Sequence, residues 1–221
     1  MLMAVFCLGA SLIGINAQEK DWANLQRYAQ QNAELPKPDK NEKRVVFMGN
    51  SITEGWVNTH PDFFKSNGYI GRGIGGQTSY QFLVRFREDV INLSPALVVI
   101  NAATNDIAEN TGAYHEDRTF GNIVSMVELA KANHIKVILT TTLPAAAFGW
   151  NPAIKDAPQK IQSLNARIEA YAKANKIPFV NYYQPMVVGE NKALNPQYTK
   201  DGVHPTGEGY EVMETLIKQA I

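Results

Sequence analysis

Short apolar runs recur along the chain and are separated by more polar stretches. Each run has two to seven residues, and short continuous apolar runs are typical of buried β-strands. The candidate strands are residues 44–49, 69–70, 96–101, 135–141 and 178–182.

Between these runs, apolar residues recur every three or four positions, which predicts amphipathic helices over residues 120–127, 161–171 and 210–217. Strands that alternate with helices predict parallel β-α-β units with helices on both faces of the sheet. We therefore predict an α/β fold, a three-layer α/β/α sandwich with about five parallel strands.

The N-terminus carries a separate signal. Residues 2–15 form an apolar run without charge, and small and then polar residues follow it. This predicts a signal peptide over residues 1–17 and a secreted or periplasmic protein. The run is too short for stable membrane insertion. No Lys or Arg precedes it, so a buried N-terminal strand or helix remains the alternative.

The rest of the chain divides into two parts. Residues 18–43 predict a short helix, with Trp22, Leu25 and Ala29 at helical spacing, followed by a charged linker rich in breakers. Residues 44–221 are long enough for one domain with a full core.

Composition excludes several function classes. Lys plus Arg equals Asp plus Glu at 21 each, so the chain has no overall attraction to nucleic acid or anionic membranes. The single cysteine, Cys7, lies in the N-terminal run, which leaves no cysteine for disulfides, catalysis or metal binding after cleavage. The scattered His60, His115 and His134 have no paired carboxylates at ligand spacing, and we predict no metal.

Chemistry-bearing residues follow the predicted strands, where active groups of such sheets collect. Ser51 lies in the turn after the first strand and is a candidate nucleophile, or alternatively a helix cap. Near the other end of the chain, Asp201 and His204 form the carboxylate and imidazole pair that activates a serine. Gly202 and Pro205 shape their loop, although a surface turn with a helix cap would use the same residues.

Two further strand ends offer hydrogen-bond donors for an oxyanion. The Asn105 amide follows the third strand, and a glycine-rich turn over residues 71–78 follows the second. A backbone N–H in that turn and the N–H of Ser51 would add to the Asn105 amide.

These segments resemble the four blocks of the SGNH (GDSL-like) hydrolases, which read here GNSITEG, GIGGQTS, ATND and DGVHP and span residues 49–205. The resemblance implies a flavodoxin-like fold, no cofactor, and a triad of Ser51, His204 and Asp201. It also implies an oxyanion hole formed by Ser51 N–H, Gly76 N–H and Asn105.

Two residues depart from the family pattern. Asn50 stands where the first block usually has Asp, and we expect activity to survive because an amide keeps hydrogen bonds. Ala103 stands where the third block often has Gly, and alanine is tolerated there unless φ is positive.

The spacing of Gly71, Gly73 and Gly76 also matches a dinucleotide-binding fingerprint. It follows the second strand instead of the first and lacks an acidic residue at the next strand end, so we set this interpretation aside.

Phe148 and Trp150 lie in the loop after the fourth strand and are candidate substrate-binding aromatics, or alternatively fill that loop's own core. We predict a serine esterase that cleaves short-chain esters, acetyl esters above all, on small molecules or glycans. A lysophospholipase-type lipid esterase, a carbohydrate-binding protein with weakened hydrolysis and a flavodoxin-like nucleotide or flavin binder are the alternatives. The sequence leaves the oligomeric state open.

Overall fold

The computed structural model describes residues 21–221, and its centre is a sheet of five parallel strands. The strands lie in the order β2-β1-β3-β4-β5, which is the flavodoxin-like order. The predicted α/β/α sandwich with about five parallel strands is confirmed. The strand bounds are β1 (Val45–Gly49), β2 (Tyr69–Gly73), β3 (Leu97–Ile100), β4 (Lys136–Thr140) and β5 (Phe179–Val180).

Helices follow the strands and cover both faces of the sheet. The α-helices are α1 (Ala29–Glu34), α2 (Ser51–Thr59), α3 (Pro61–Asn67), α4 (Ser79–Asp89), α5 (Thr104–Ile107), α6 (Glu116–Ala132), α7 (Ala157–Ala174), α8 (Tyr183–Met186) and α9 (Gly207–Lys218). Within residues 21–221, three short 3-10 helices lie at Leu25–Arg27, Ile91–Leu93 and Pro196–Tyr198.

The core has two layers, one on each face of the sheet. Side chains of β1 alternate between them because successive residues of a strand point to opposite faces. Val46 and Met48 join the layer under α4, α6 and α7. Val45 and Phe47 join the layer under α2, α3 and α9. Both faces of the strand are therefore buried, which explains its continuous apolar run.

The sheet has a switch point at its centre. β1 pairs with β2 on one side and with β3 on the other, so the connections that leave β1 and β3 run in opposite directions. A crevice forms at the carboxyl ends of strands beside such a point. Ser51 follows β1 and Asn105 follows β3, so both flank this crevice.

The N-terminal segment is less helical than predicted. Asn24 adopts a left-handed conformation with φ of 54° immediately before the 3-10 turn at Leu25–Arg27, and the non-helical Tyr28 separates that turn from the six-residue helix α1. The segment packs on the domain, where the Tyr28 hydroxyl donates to the Gly73 carbonyl and the Gln77 amide donates to the Ala23 carbonyl at 2.7 Å. The predicted signal peptide lies outside the described residues.

A two-stranded antiparallel hairpin was not predicted. Its strands β6 (Val187–Val188) and β7 (Ala193–Leu194) have two residues each, too few for a visible periodicity. None of the helices within residues 21–221 combines the length and apolar character needed to cross a bilayer.

Candidate active site

Ser51, His204 and Asp201 form one hydrogen-bonded row at the carboxyl edge of the sheet. The Ser51 Oγ lies 2.9 Å from Nε2 of His204, and Nδ1 of His204 lies 2.6 Å from Oδ2 of Asp201. The fold creates the first contact, because 153 positions separate the two residues. In this geometry the imidazole can accept the serine proton while the carboxylate fixes its orientation.

Asn50, and not Ser51, caps helix α2. The Asn50 side-chain oxygen accepts a hydrogen bond of 2.9 Å from the N–H of Ile52. Ser51 is therefore the first residue of the helix, and its hydroxyl is free to face His204. The Ser51 N–H has no acceptor among the described residues and lies at the positive end of the helix dipole.

Asp201 both shapes its loop and holds the histidine. Its Oδ1 accepts the backbone N–H groups of Val203 at 2.9 Å and His204 at 2.8 Å, while Oδ2 contacts the imidazole. Partial burial opposes ionisation of Asp201, but the hydrogen bonds from His204 and Val203 outweigh it and lower its pKa to about 2. The carboxylate is consequently ionised at neutral pH.

The glycine turn after β2 lies against the nucleophile. A Cβ added to Gly75 would stand 3.8 Å from the Cβ of Ser51, so the turn packs directly beside the nucleophile. Gly76 has a φ of 75°, a conformation that favours glycine. Its N–H has no acceptor in the described part of the chain and can donate to an oxyanion.

The Asn105 side chain is buried beside the same turn. Its amide nitrogen donates to the Gln77 carbonyl at 2.9 Å, which uses one of its two hydrogens. The other hydrogen has no acceptor within residues 21–221. Asn105 thus supports the turn and keeps a second amide hydrogen for another acceptor.

Arg85 ties the turn to the end of β1 and was not singled out from the sequence. Its fully buried guanidinium donates to the Gln77 side chain at 2.6 Å and to the Gly49 carbonyl at 2.9 Å. It also pairs with the buried Asp89 at 2.7 Å. An arginine in an amphipathic helix is usually assigned to the exposed face, so no sequence signal marked this position.

Asp106, the residue after Asn105, anchors the start of α4. Burial raises its pKa, although hydrogen bonds from Ser79 and Thr119 act in the opposite direction. The Ser79 N–H donates to it at 2.9 Å, and the Ser79 hydroxyl donates to its other oxygen. The third block and the glycine turn are therefore joined at two adjacent residues, Asn105 and Asp106.

The two predicted substrate-binding aromatics differ in position. Trp150 exposes 47% of its surface, and its ring centroid lies 6.2 Å from that of His204. Phe148 is fully buried in the core, with its ring centroid 5.3 Å from that of Trp150. The prediction that Phe148 contacts substrate is therefore wrong, because its ring packs inside the domain.

Asn110, another residue that we did not predict, links Trp150 to the glycine turn. Its side-chain oxygen accepts the indole N–H of Trp150 at 2.9 Å, and its amide nitrogen donates to the Gly76 carbonyl at 3.0 Å. It lies five residues beyond Asn105, outside the four blocks.

Ala103 has a φ of 84°, within the left-handed region that favours glycine. The condition under which alanine should be strained at this position is therefore met. The residue is fully buried, so the surrounding core holds the strained backbone in place.

No group of three or more His, Cys, Asp or Glu side chains in residues 21–221 is arranged to hold a metal ion. The donors of the site are instead the hydroxyl, imidazole, carboxylate, amide and backbone groups described above.

An α/β/α fold with a Ser-His-Asp row at the carboxyl edge of its sheet is typical of serine-dependent hydrolases. The GDSL-like Lipase/Acylhydrolase family model matches residues 47–212. The chain belongs to this family and is an ester hydrolase, which confirms the resemblance and the predicted enzyme class.

Two solved structures are similar to most of the chain. A proposed acylhydrolase from Bacteroides fragilis NCTC 9343 is 92% identical, with a TM-score of 0.91, and the match covers 91% of this chain and 97% of that one. A GDSL-like lipase from Bacteroides thetaiotaomicron VPI-5482 is 84% identical, with a TM-score of 0.89 and coverage of 90% and 97%.

A more distant relative is the uncharacterized lipoprotein YqeF of Bacillus subtilis (strain 168). It is 32% identical over an alignment of 117 residues that covers 45% of this chain. The match spans about half of that relative's length (48%).

Proposed function

We propose that the chain hydrolyses esters through a covalent acyl-Ser51 intermediate. Ser51 Oγ attacks the ester carbonyl carbon while His204 takes its proton. The tetrahedral oxyanion receives hydrogen bonds from Ser51 N–H, Gly76 N–H and the Asn105 amide. Collapse breaks the bond to the alcohol, which leaves with the proton from His204. The observation that carries this proposal is the 2.9 Å contact between Ser51 and His204 with Asp201 behind it.

Water completes the reaction. His204, neutral again, removes a proton from a water molecule that attacks the acyl carbonyl. The second tetrahedral intermediate breaks the bond to Ser51 Oγ, which regains its proton from His204 and releases the carboxylic acid. Asp201 stays ionised throughout and orients the imidazole.

The preferred substrate in this proposal is an acetyl ester of a sugar. The crevice beside Ser51 is bounded by the glycine turn at Gly75, which offers little apolar surface to a fatty chain. His204 protonates the leaving alcohol, so the alcohol lies on the side of Trp150. An exposed indole there suits the apolar face of a sugar ring.

A chain-length series tests this substrate class. We expect kcat/KM to fall from acetyl to butyryl to octanoyl esters of one alcohol. A lipid esterase would instead gain about 0.8 kcal/mol for each methylene that it buries. Increasing kcat/KM with chain length would make the chain a lysophospholipase-type enzyme. Saturable sugar binding without turnover would make it a carbohydrate-binding protein.

A Trp150 variant tests the alcohol side. Trp150→Ala should raise KM for an acetylated sugar and leave that for methyl acetate unchanged. Trp150→Phe, which keeps an aromatic face, is the matched control and should recover most of the sugar-ester rate. An unaltered sugar-ester rate in Trp150→Ala would contradict the stacking role.

We also propose that residues 1–17 are a signal peptide and that the enzyme acts outside the cytoplasm. The charge-free run at residues 2–15 supports this, as does the lipoprotein relative. Cell fractionation with mass spectrometry of the exported chain should find a mature N-terminus near residue 18. An intact N-terminus on a cytoplasmic product would contradict the proposal.

A further inference from the structure

Two of the three tryptophans expose about half of their surface. Trp150 stands beside His204 at 47%, and Trp22 is exposed at 48%, whereas Trp56 is buried in the core. Exposed aromatic rings among polar groups are typical of binding surfaces. Trp150 already has a place in the proposed function, but Trp22 has none.

Trp22 lines a cavity of about 250 Å³, which we call the Trp22 cavity. The other walls are Tyr80 at the start of α4, His115 and Arg118 at the start of α6, and the turn of residues 111–113. Its volume is just below the range of about 300–1,000 Å³ for pockets that bind drug-sized ligands. It therefore suits a single ring.

The loop of residues 110–113 lies between the Trp22 cavity and the active site. The Thr111 hydroxyl lies 3.1 Å from the Thr78 hydroxyl, within the same stretch as the glycine turn. The preceding residue, Asn110, contacts both Trp150 and Gly76. One side of this loop thus borders the catalytic groups and the other borders the cavity.

Arg118 gives the Trp22 cavity an available positive charge. It makes no salt bridge within residues 21–221, whereas its acidic neighbours Glu116 and Asp117 are both paired with Arg167, at 3.1 and 2.8 Å. Asp21, the residue before Trp22, is not a salt-bridge partner of Arg118 either, since its carboxylate accepts the backbone N–H of Gln26 at 3.0 Å. A guanidinium matches the two oxygens of a carboxylate in geometry and charge.

We propose that the Trp22 cavity binds a carboxylate-bearing sugar unit, with its ring on Trp22 and its carboxylate on Arg118, in a glycan whose acetyl ester lies at Ser51. This inference rests on the proposed function and narrows it to acidic glycans. The cavity acts in binding and not in the chemical step. Its loss should therefore change KM for extended acidic substrates and leave kcat on small esters unchanged.

The test compares two acetylated xylo-oligosaccharides that differ in one group. One carries a glucuronate branch, and the other is the same compound after reduction of its carboxyl group. We expect the wild type to prefer the acidic compound by about fivefold or more in kcat/KM, as one charge-assisted contact at a partly exposed site would give. Arg118→Gln should abolish the preference without lowering the rate on the neutral compound.

Matched controls separate the cavity from general effects of charge and folding. Arg87→Gln removes another exposed arginine, on α4, and should keep the preference. Trp22→Ala should lower kcat/KM on both oligosaccharides and leave turnover of 4-nitrophenyl acetate unchanged. Equal wild-type rates on the two oligosaccharides, or a preference that survives in Arg118→Gln, would overturn the inference.

A binding measurement keeps the inference separate from the proposed function. If the wild type cleaves 4-nitrophenyl acetate but neither oligosaccharide, the sugar-ester proposal fails. The glucuronate-branched xylo-oligosaccharide without its acetyl group is then titrated calorimetrically into wild type and Arg118→Gln. Binding that Arg118→Gln weakens at least fivefold supports the cavity, and equal or absent binding overturns it.

Discussion

The indole N–H of Trp150 donates a hydrogen bond of 2.9 Å to the side-chain oxygen of Asn110. The amide nitrogen of the same residue donates to the Gly76 carbonyl at 3.0 Å. One amide therefore connects the aromatic ring on the alcohol side of the proposed substrate with the turn that supplies an oxyanion donor. Loss of Asn110 should affect both the binding of the alcohol and the chemical step.

Asn110→Ala should raise KM for a sugar acetate and also lower kcat several-fold, because Trp150 and Gly76 both lose a partner. Asn110→Asp keeps an oxygen that can accept the indole N–H but cannot donate to Gly76, so it should mainly lower kcat. Steady-state kinetics of the two variants separate these effects. Unchanged kinetics in both would show that this link has no functional role.

Asn105→Ala should lower kcat by roughly 10²–10³, the usual loss for one oxyanion donor, with little change in KM. The reason is that the donor acts where negative charge develops, in the transition state. Circular dichroism should confirm that the variant still folds, since the Gln77 carbonyl loses its partner too. A change confined to KM would make Asn105 a residue that positions substrate.

Ala103 offers a direct measurement of backbone strain. Ala103→Gly removes a methyl group but relieves a positive φ, so the free energy of unfolding should change by less than about 1 kcal/mol. Ala102→Gly is the matched control, because Ala102 is also buried but has no positive φ. Ala102→Gly should lower the free energy of unfolding by about 1 kcal/mol or more beyond the change in Ala103→Gly. Equal losses in urea denaturation would show that Ala103 is unstrained.

Asp201 predicts a dependence of stability on pH. Its pKa is about 2 in the folded protein, below the ordinary value of 3.8, so the folded state favours the ionised form. This contribution is fully present above the unfolded pKa and is lost as the pH falls through the folded pKa. The Asp201 contribution to the difference in thermal midpoint between wild type and Asp201→Asn should be fully developed at about pH 5.

That difference should shrink between about pH 4 and pH 2. The Asp201 side chain is about half exposed (53%), so solvent screening keeps the effect modest. A difference that is independent of pH across this range would mean that the folded state does not favour ionised Asp201.

The sequence predicted the sheet, and the meeting of the four blocks at one edge of it, because both depend on local patterns. Continuous apolar runs mark strands buried on both faces, and the residues that follow parallel strands must meet at one edge. The row of Ser51, His204 and Asp201 was predictable in this way, whereas side-chain partners within the core were not.

Arg85, Asn110 and Phe148 show why the partners of buried side chains were not predictable. Periodicity assigns a residue to a face of a helix but does not reveal that a buried arginine has carbonyl and carboxylate partners. The paths of the loops decide that Phe148 points inward and that Asn110 reaches both Trp150 and Gly76. These paths depend on tertiary contacts that local patterns do not encode.

The covalent labelling of Ser51 tests the central claim most directly. A fluorophosphonate that mimics the tetrahedral intermediate should add to the wild-type protein with one-to-one stoichiometry, and peptide mass spectrometry should place the adduct on Ser51. His204→Ala should label far more slowly, because the serine loses its base, and Ser51→Ala should neither label nor turn over 4-nitrophenyl acetate above about a thousandth of the wild-type rate. An adduct on another residue, or near-wild-type turnover by Ser51→Ala, would contradict the account.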